Sequence, residues 1–238
     1  MTPTYMGATE STVDGPCLHS TYEMRVSATP WKPFISGLAR RIAILLCLTV
    51  ASVGMASREL SASSGHSNTG TYLPERAGAQ APQGAQDLCT RFTWACARGG
   101  QGSSIPSALM ATVRAVNLAV NRSVRPIEDE IQYGVSEHWA LPTQRGGDCE
   151  DFALLKMMQL IERGVPANAL LLATVLDRSG GSHAVLIVRT DQGDMVLDNL
   201  TNRVVDWRST GYTFLRIQNP ANRSQWRVVN AGGIFGTS

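Results

Sequence analysis

Three residues of this sequence are of types that act together on a carbonyl group: Cys149, His183 and Asp198. Cys149 follows Gly146-Gly147-Asp148 and opens an apolar stretch of helical period. A cysteine heading a helix sits in the partial positive charge of the helix N-terminus, which favours thiolate over thiol. The N–H groups of that first turn can also receive the oxyanion formed when a thiolate attacks a peptide carbonyl. His183 follows Ser179-Gly180-Gly181-Ser182 and opens a strand rich in Val, Leu and Ile. An imidazole there can face a cleft and serve as a general base. Asp198 stands in Val196-Leu197-Asp198-Asn199-Leu200, an otherwise apolar strand in which a carboxylate needs a partner. The turn expected at about residues 190–193 lies midway between His183 and Asp198, so antiparallel pairing brings the carboxylate to the imidazole. It would orient the ring and stabilise its charged form. Nucleophile, base and orienting acid in this order form the pattern of activated thiol catalysis.

These three positions require a helix and two neighbouring strands, and the period of the apolar residues supplies them. Leu109, Val113, Val116 and Val120 recur at helical spacing between Ile105 and about Asn121, with Pro106 suited to a first turn. A short helix is expected over Ile127–Tyr133. A third runs over Cys149–Arg163, where Ala153, Met157 and Ile161 form a stripe that Phe152, Leu155 and Leu160 widen, until Gly164 and Pro166 end it. The period then changes. Ala169–Leu176, His183–Thr190, Met195–Asn199, Thr213–Ile217 and Gln225–Val229 read as strands, with Asp191-Gln192-Gly193-Asp194 as a hairpin turn. Helices first and an antiparallel sheet afterwards imply an α+β fold, with the N-terminal helices packed on the sheet.

The chain of 238 residues is long enough for one ordinary domain plus extra segments. With 21 Lys and Arg against 19 Asp and Glu, its formal charge of +2 gives no electrostatic ground for a nucleic-acid partner. Arg40 and Arg41 precede the apolar run Ile42–Val53, and the small residues around Ala56 follow it. Basic patch, short apolar run and small residues are the parts of a secretory signal, and the run is shorter than the roughly 20 residues of a spanning helix. Met24 is a candidate true start, since only basic charges lie between it and the apolar run. Export leaves Cys89, Cys96 and Cys149; an oxidising compartment favours a disulfide between the close pair, with Cys149 as the remaining thiol. The expected organisation is an extension and signal over 1–57, a Ser/Gly/Pro-rich linker over 58–86 and a folded domain over 87–238. No zinc-type spacing of Cys and His occurs.

Trp139-Ala140-Leu141-Pro142, the block from Gly146 through Cys149-Glu150-Asp151-Phe152-Ala153 with Lys156, Gly181-Ser182-His183-Ala184-Val185-Leu186, Val196–Leu200 and Trp207 together resemble the bacterial transglutaminase-like cysteine proteinases, the LapG-type periplasmic proteinases. The resemblance runs over roughly residues 87–230 and keeps order and spacing. It implies a papain-like or transglutaminase-like fold, with Cys149, His183 and Asp198 in the triad positions. It further implies endoproteolysis of a large cell-surface adhesin in the periplasm and regulation by an inner-membrane receptor. Family members bind calcium through acids flanking the nucleophile; the matching positions are Asp148 and Glu150, with Asp151 adjacent, and oxygen ligands suit that ion. Those acids also have a plain reading, Asp148 as helix N-cap and Glu150 and Asp151 as complements of the helix dipole. The same triad serves acyl transfer to an amine or side-chain deamidation, and a non-catalytic binding module of the same fold is the remaining alternative.

Overall fold

The computed structural model describes residues 71–96 and 104–236. The expected signal segment, Met24 and the expected linker up to residue 70 lie outside the described residues. Chain order runs β1 (Gly78–Ala79), α1 (Leu88–Arg91), α2 (Met110–Ser123), α3 (Asp129–Tyr133), α4 (Cys149–Glu162), β2 (Leu170–Leu176), β3 (Ser182–Thr190), β4 (Gly193–Leu197), β5 (Val205–Asp206), β6 (Thr213–Asn219) and β7 (Asn222–Gly232). The strands form one seven-stranded sheet in the order β1-β7-β6-β2-β3-β4-β5, with every neighbouring pair antiparallel. The expected α+β architecture is present, with element ends shifted by a few residues.

The central strands are apolar on both faces because both faces are covered. Leu170 and Leu172 of β2 and Ala184, Leu186 and Val188 of β3 join the core beneath the helices, with Val113, Val116 and Val120 of α2 and Phe152, Leu154, Met157 and Leu160 of α4. The alternate residues Leu171, Ala173, Val175, Val185 and Ile187 form a second cluster with Leu73, Trp207 and Phe214. Strand alternation thus feeds two cores from the same run of residues. Helix α4 is buried nearly all round, Glu150, Asp151 and Lys156 included, which explains why its apolar stripe is broad in the sequence.

The linker expected over 58–86 does not extend to 86. Residues 71–86 are part of the folded domain: Gly78 and Ala79 pair with Arg227 and Trp226 of β7, Leu73 is 2% exposed, and the Leu73 N–H donates to Asp194 Oδ2 at 2.9 Å. Composition misled here because this segment lies along other strands and needs few large side chains of its own. Cys89 and Cys96 are joined in a disulfide, the pairing expected from their spacing. Among the described residues no helix is long and apolar enough to cross a membrane.

Candidate active site

Helix α4 starts at Cys149 because the chain before it is held in a tight glycine turn. The Gly147 N–H donates to Arg125 O, and its carbonyl accepts from Ile127 N, both at 3.1 Å. Gly146 has a φ of 127°, and a Cβ on it would stand 1.9 Å from Arg125 O. A Cβ on Gly147 would meet Asp151 Oδ2 at 2.5 Å. Both glycines are therefore required by close approach. Cys149, 1% exposed, directs Sγ toward the start of β3, where the Ala184 N–H donates to it at 3.2 Å. Glu150 Oε2 lies 3.2 Å from the same sulfur.

His183 is the second residue of β3, and its Nε2 lies 2.9 Å from Asp198 Oδ1. Asp198 stands one residue past the end of β4 instead of within it, because its polar groups are engaged elsewhere. Its Oδ1 accepts from Leu200 N at 2.9 Å, its Oδ2 from Tyr212 OH at 2.6 Å, and its carbonyl from Asn121 Nδ2 of α2 at 2.9 Å. Asn117, also on α2, donates to the carbonyls of Thr201 and Asn202, so α2 holds the loop that presents the carboxylate. Burial pushes the Asp198 carboxyl up, but the His183 bond and charge and the Tyr212 bond outweigh it and hold it below the usual range. Cys149 and His183 line one narrow cleft of ≈ 30 Å³, with Pro82, Trp139, Ser182 and Leu215 among its walls.

Behind the nucleophile lies a group of buried carboxylates. Asp129, Asp148 and Asp151 each offer an oxygen within 4.8 Å of the others. The loop after α3 fixes two of them by one oxygen each: His138 N donates to Asp129 Oδ2, and Ala140 N to Asp151 Oδ1 at 2.8 Å. The other oxygens, Asp129 Oδ1 and Asp151 Oδ2, are buried with no hydrogen-bond partner, as is Asp148 Oδ1. Burial and mutual repulsion raise Asp148 to about 6 and Asp151 to about 8. Buried carboxylate oxygens facing one another without donors fit a hard divalent cation such as calcium.

The expected site residues thus fall in two groups. His183 and Asp198 meet at one end of β3, as expected from the hairpin midpoint, and Cys149 reaches the same end through the Ala184 N–H. Asp148 and Asp151 enter the acidic group, but Glu150 is not one of its three members and lies against the sulfur; Asp129 is the third. The plain reading of Asp148 also needs correction. It occupies the N-cap position of α4, but its side chain makes no capping bond to the helix. Asp129 sits in Glu128-Asp129-Glu130, a run that reads as an ordinary acidic helix start. Tyr212 carries no motif at all. Lys156 of α4 is 1% exposed, and burial lowers it to about 7 although the Asp198 charge opposes that shift.

The sequence matches the family profile of the bacterial transglutaminase-like cysteine proteinases over residues 75–233. The chain belongs to this family. It is a cysteine peptidase, and the non-catalytic binding module is set aside. Among solved structures, a calcium-bound LapG of Legionella pneumophila is similar at 22% identity and a TM-score of 0.45, covering 52% of this chain and 71% of its own. An EGTA-treated LapG of the same organism is similar at 20% identity and a TM-score of 0.41, covering 56% of this chain and 79% of its own. No curated protein matches the sequence at a significant level.

Proposed function

We propose that Cys149, His183 and Asp198 are the catalytic triad of an exported endopeptidase. The observation that carries this reading is the meeting at the start of β3: Asp198 holds His183 by Nε2, and the sulfur receives the N–H of the next residue, Ala184. With Nε2 on the carboxylate, Nδ1 is the ring nitrogen left to take the Cys149 proton. The thiolate then attacks the substrate carbonyl, and N–H groups at the α4 start support the oxyanion. The imidazolium returns its proton to the leaving amine as the C–N bond breaks and a thioester remains. Water, deprotonated by the same ring, releases the acid and restores the thiol.

The substrate is a protein, and the finer reading is a large cell-surface adhesin cut in the periplasm, with an inner-membrane receptor as regulator. Its support is family membership together with the signal-like segment Arg40–Ser57. Calcium is the proposed cofactor. Asp129, Asp148 and Asp151 would hold it, where it would neutralise the repulsion beside the first turn of α4 and so fix the approach of Cys149. Iodoacetamide labelling read by mass spectrometry tests the triad. Cys149 is expected to react fast at pH 7, with a rate falling about 100-fold or more in His183→Ala. Equal, slow reaction in both proteins would sink the assignment.

A further inference from the structure

Among the groups the triad does not use, Tyr212 makes the shortest hydrogen bond to it. Tyr212 is 7% exposed, and its hydroxyl donates to Asp198 Oδ2 at 2.6 Å. Its ring meets that of His183 edge to face, with centroids 5.8 Å apart and planes at 86°. One side chain therefore touches two members of the triad by two kinds of contact. We propose that Tyr212 is a positioning residue of the catalytic machinery, holding the second oxygen of Asp198 so that the first remains aimed at His183. This rests on the triad reading above.

A buried carboxylate with one oxygen unbound can rotate about its Cβ–Cγ bond and lose its aim, and leaving that oxygen without a donor is costly. Here Oδ1 accepts from both His183 and Leu200, so Oδ2 would be bare without the tyrosine. The tyrosine is itself held. Thr210 Oγ1 donates to Trp207 O at 2.7 Å and accepts from Tyr212 N at 3.1 Å, Arg178 Nε donates to Thr210 O at 2.7 Å, and Gly211 turns the chain with a φ of 74°. A short turn fastened at three points thus delivers the hydroxyl. Burial and the neighbouring Asp198 charge raise the phenol far above its usual range, so the group remains a donor wherever the peptidase operates. The ring edge also fills the space beside the imidazole, which opposes rotation of His183 out of the cleft.

The test is the pH profile of Cys149 alkylation by iodoacetamide in the full chain, for wild type, Tyr212→Phe and His183→Ala. Phenylalanine keeps the ring and removes only the hydroxyl. The Tyr212→Phe rate is expected to fall about 10-fold or more near pH 7, where thiolate formation depends on the imidazole. The deficit should close above about pH 9, where the thiol ionises unaided. A Tyr212→Phe profile superimposing on wild type, while His183→Ala is slow, overturns the positioning role and leaves the triad intact. A deficit of equal size at every pH, tracking a lost folded fraction, also overturns it. If His183→Ala behaves as wild type, the triad reading fails and this inference fails with it. Should Tyr212→Phe not fold, incorporation of 4-fluorophenylalanine at position 212 fills the hydroxyl's space without a donor, and the same profile decides.

Discussion

Side chains around Cys149 divide by what their carboxylates face. Asp198 is surrounded by donors and stays ionised, whereas Asp129, Asp148 and Asp151 face one another with buried oxygens that accept nothing. A buried carboxylate without a donor either takes a proton or finds a cation. Glu150 adjoins these three through side-chain hydrogen bonds to Asp129 and Asp148, but it is not one of the three whose oxygens close on a single point, and its Oε2 lies against the sulfur. Calcium is therefore expected to raise the melting temperature of the wild type, because an ion bound only by the folded state stabilises it by mass action. Asp129→Asn and Asp151→Asn should abolish most of that rise, while Glu150→Gln should keep it. Thermal unfolding with calcium or with EGTA measures this directly. An Asp129→Asn protein with the full calcium shift would show that the ion, if bound, is held elsewhere.

Helix α4 links the residue scale to the packing of the domain, and Lys156 is its least expected feature. An ammonium so deeply buried is stabilised only in part by the Asp198 charge, and burial holds its proton affinity at about 7. In the unfolded chain a lysine titrates near 10.4. The unfolded state therefore binds more protons between these values, and stability rises with pH across that window. Below about pH 7 the full cost of the buried charge is present; above it the cost is relieved. Lys156→Met removes the titration and is expected to raise the unfolding free energy more at pH 6 than at pH 9, measured by urea denaturation at both. An equal gain at the two pH values would mean that Lys156 does not titrate in this window. Much of this element was legible in the sequence: Gly146-Gly147 before Cys149 marks a tight entry, and the 190–193 turn midway between His183 and Asp198 predicts their meeting. Tyr212 and Asp129 were not: Tyr212 reaches Asp198 from an irregular turn that no strand pairing predicts, and Asp129 lies in a run that reads as an ordinary acidic helix start. Lys156 was visible as a residue but not as a buried one, since a lysine on a helix is ordinarily solvated.

Across the whole described domain, the segment that composition assigned to a linker acts as a strap over the outer sheet face. Tyr72 OH donates to Thr190 O at 2.9 Å, Trp207 Nε1 to Thr71 O at 3.2 Å, and Arg76 Nε to Val229 O at 2.8 Å. The strap thus touches β3, β7 and the turn after β5. Arg189 bridges Glu75 and the buried Asp194 while its guanidinium stacks over Tyr72. Apolar burial and charge pairing both tie the strap down, and their sizes differ. Leu73 lies with Trp207, Ile187 and Val196 in the outer cluster, so Leu73→Ala is expected to cost about 2–5 kcal/mol. The Glu75 side chain is 31% exposed, and Arg189 keeps its two bonds to Asp194 without it, so Glu75→Gln should cost only about 0–1 kcal/mol. Urea denaturation separates the two, with an unchanged m-value showing that the same surface is exposed on unfolding. If residues 71–86 behaved as the linker their composition describes, both substitutions would leave the midpoint where it is. A shift of the midpoint by Leu73→Ala alone places the strap within the cooperative fold, and with it Pro82, which carries the same segment on to the wall of the Cys149 cleft.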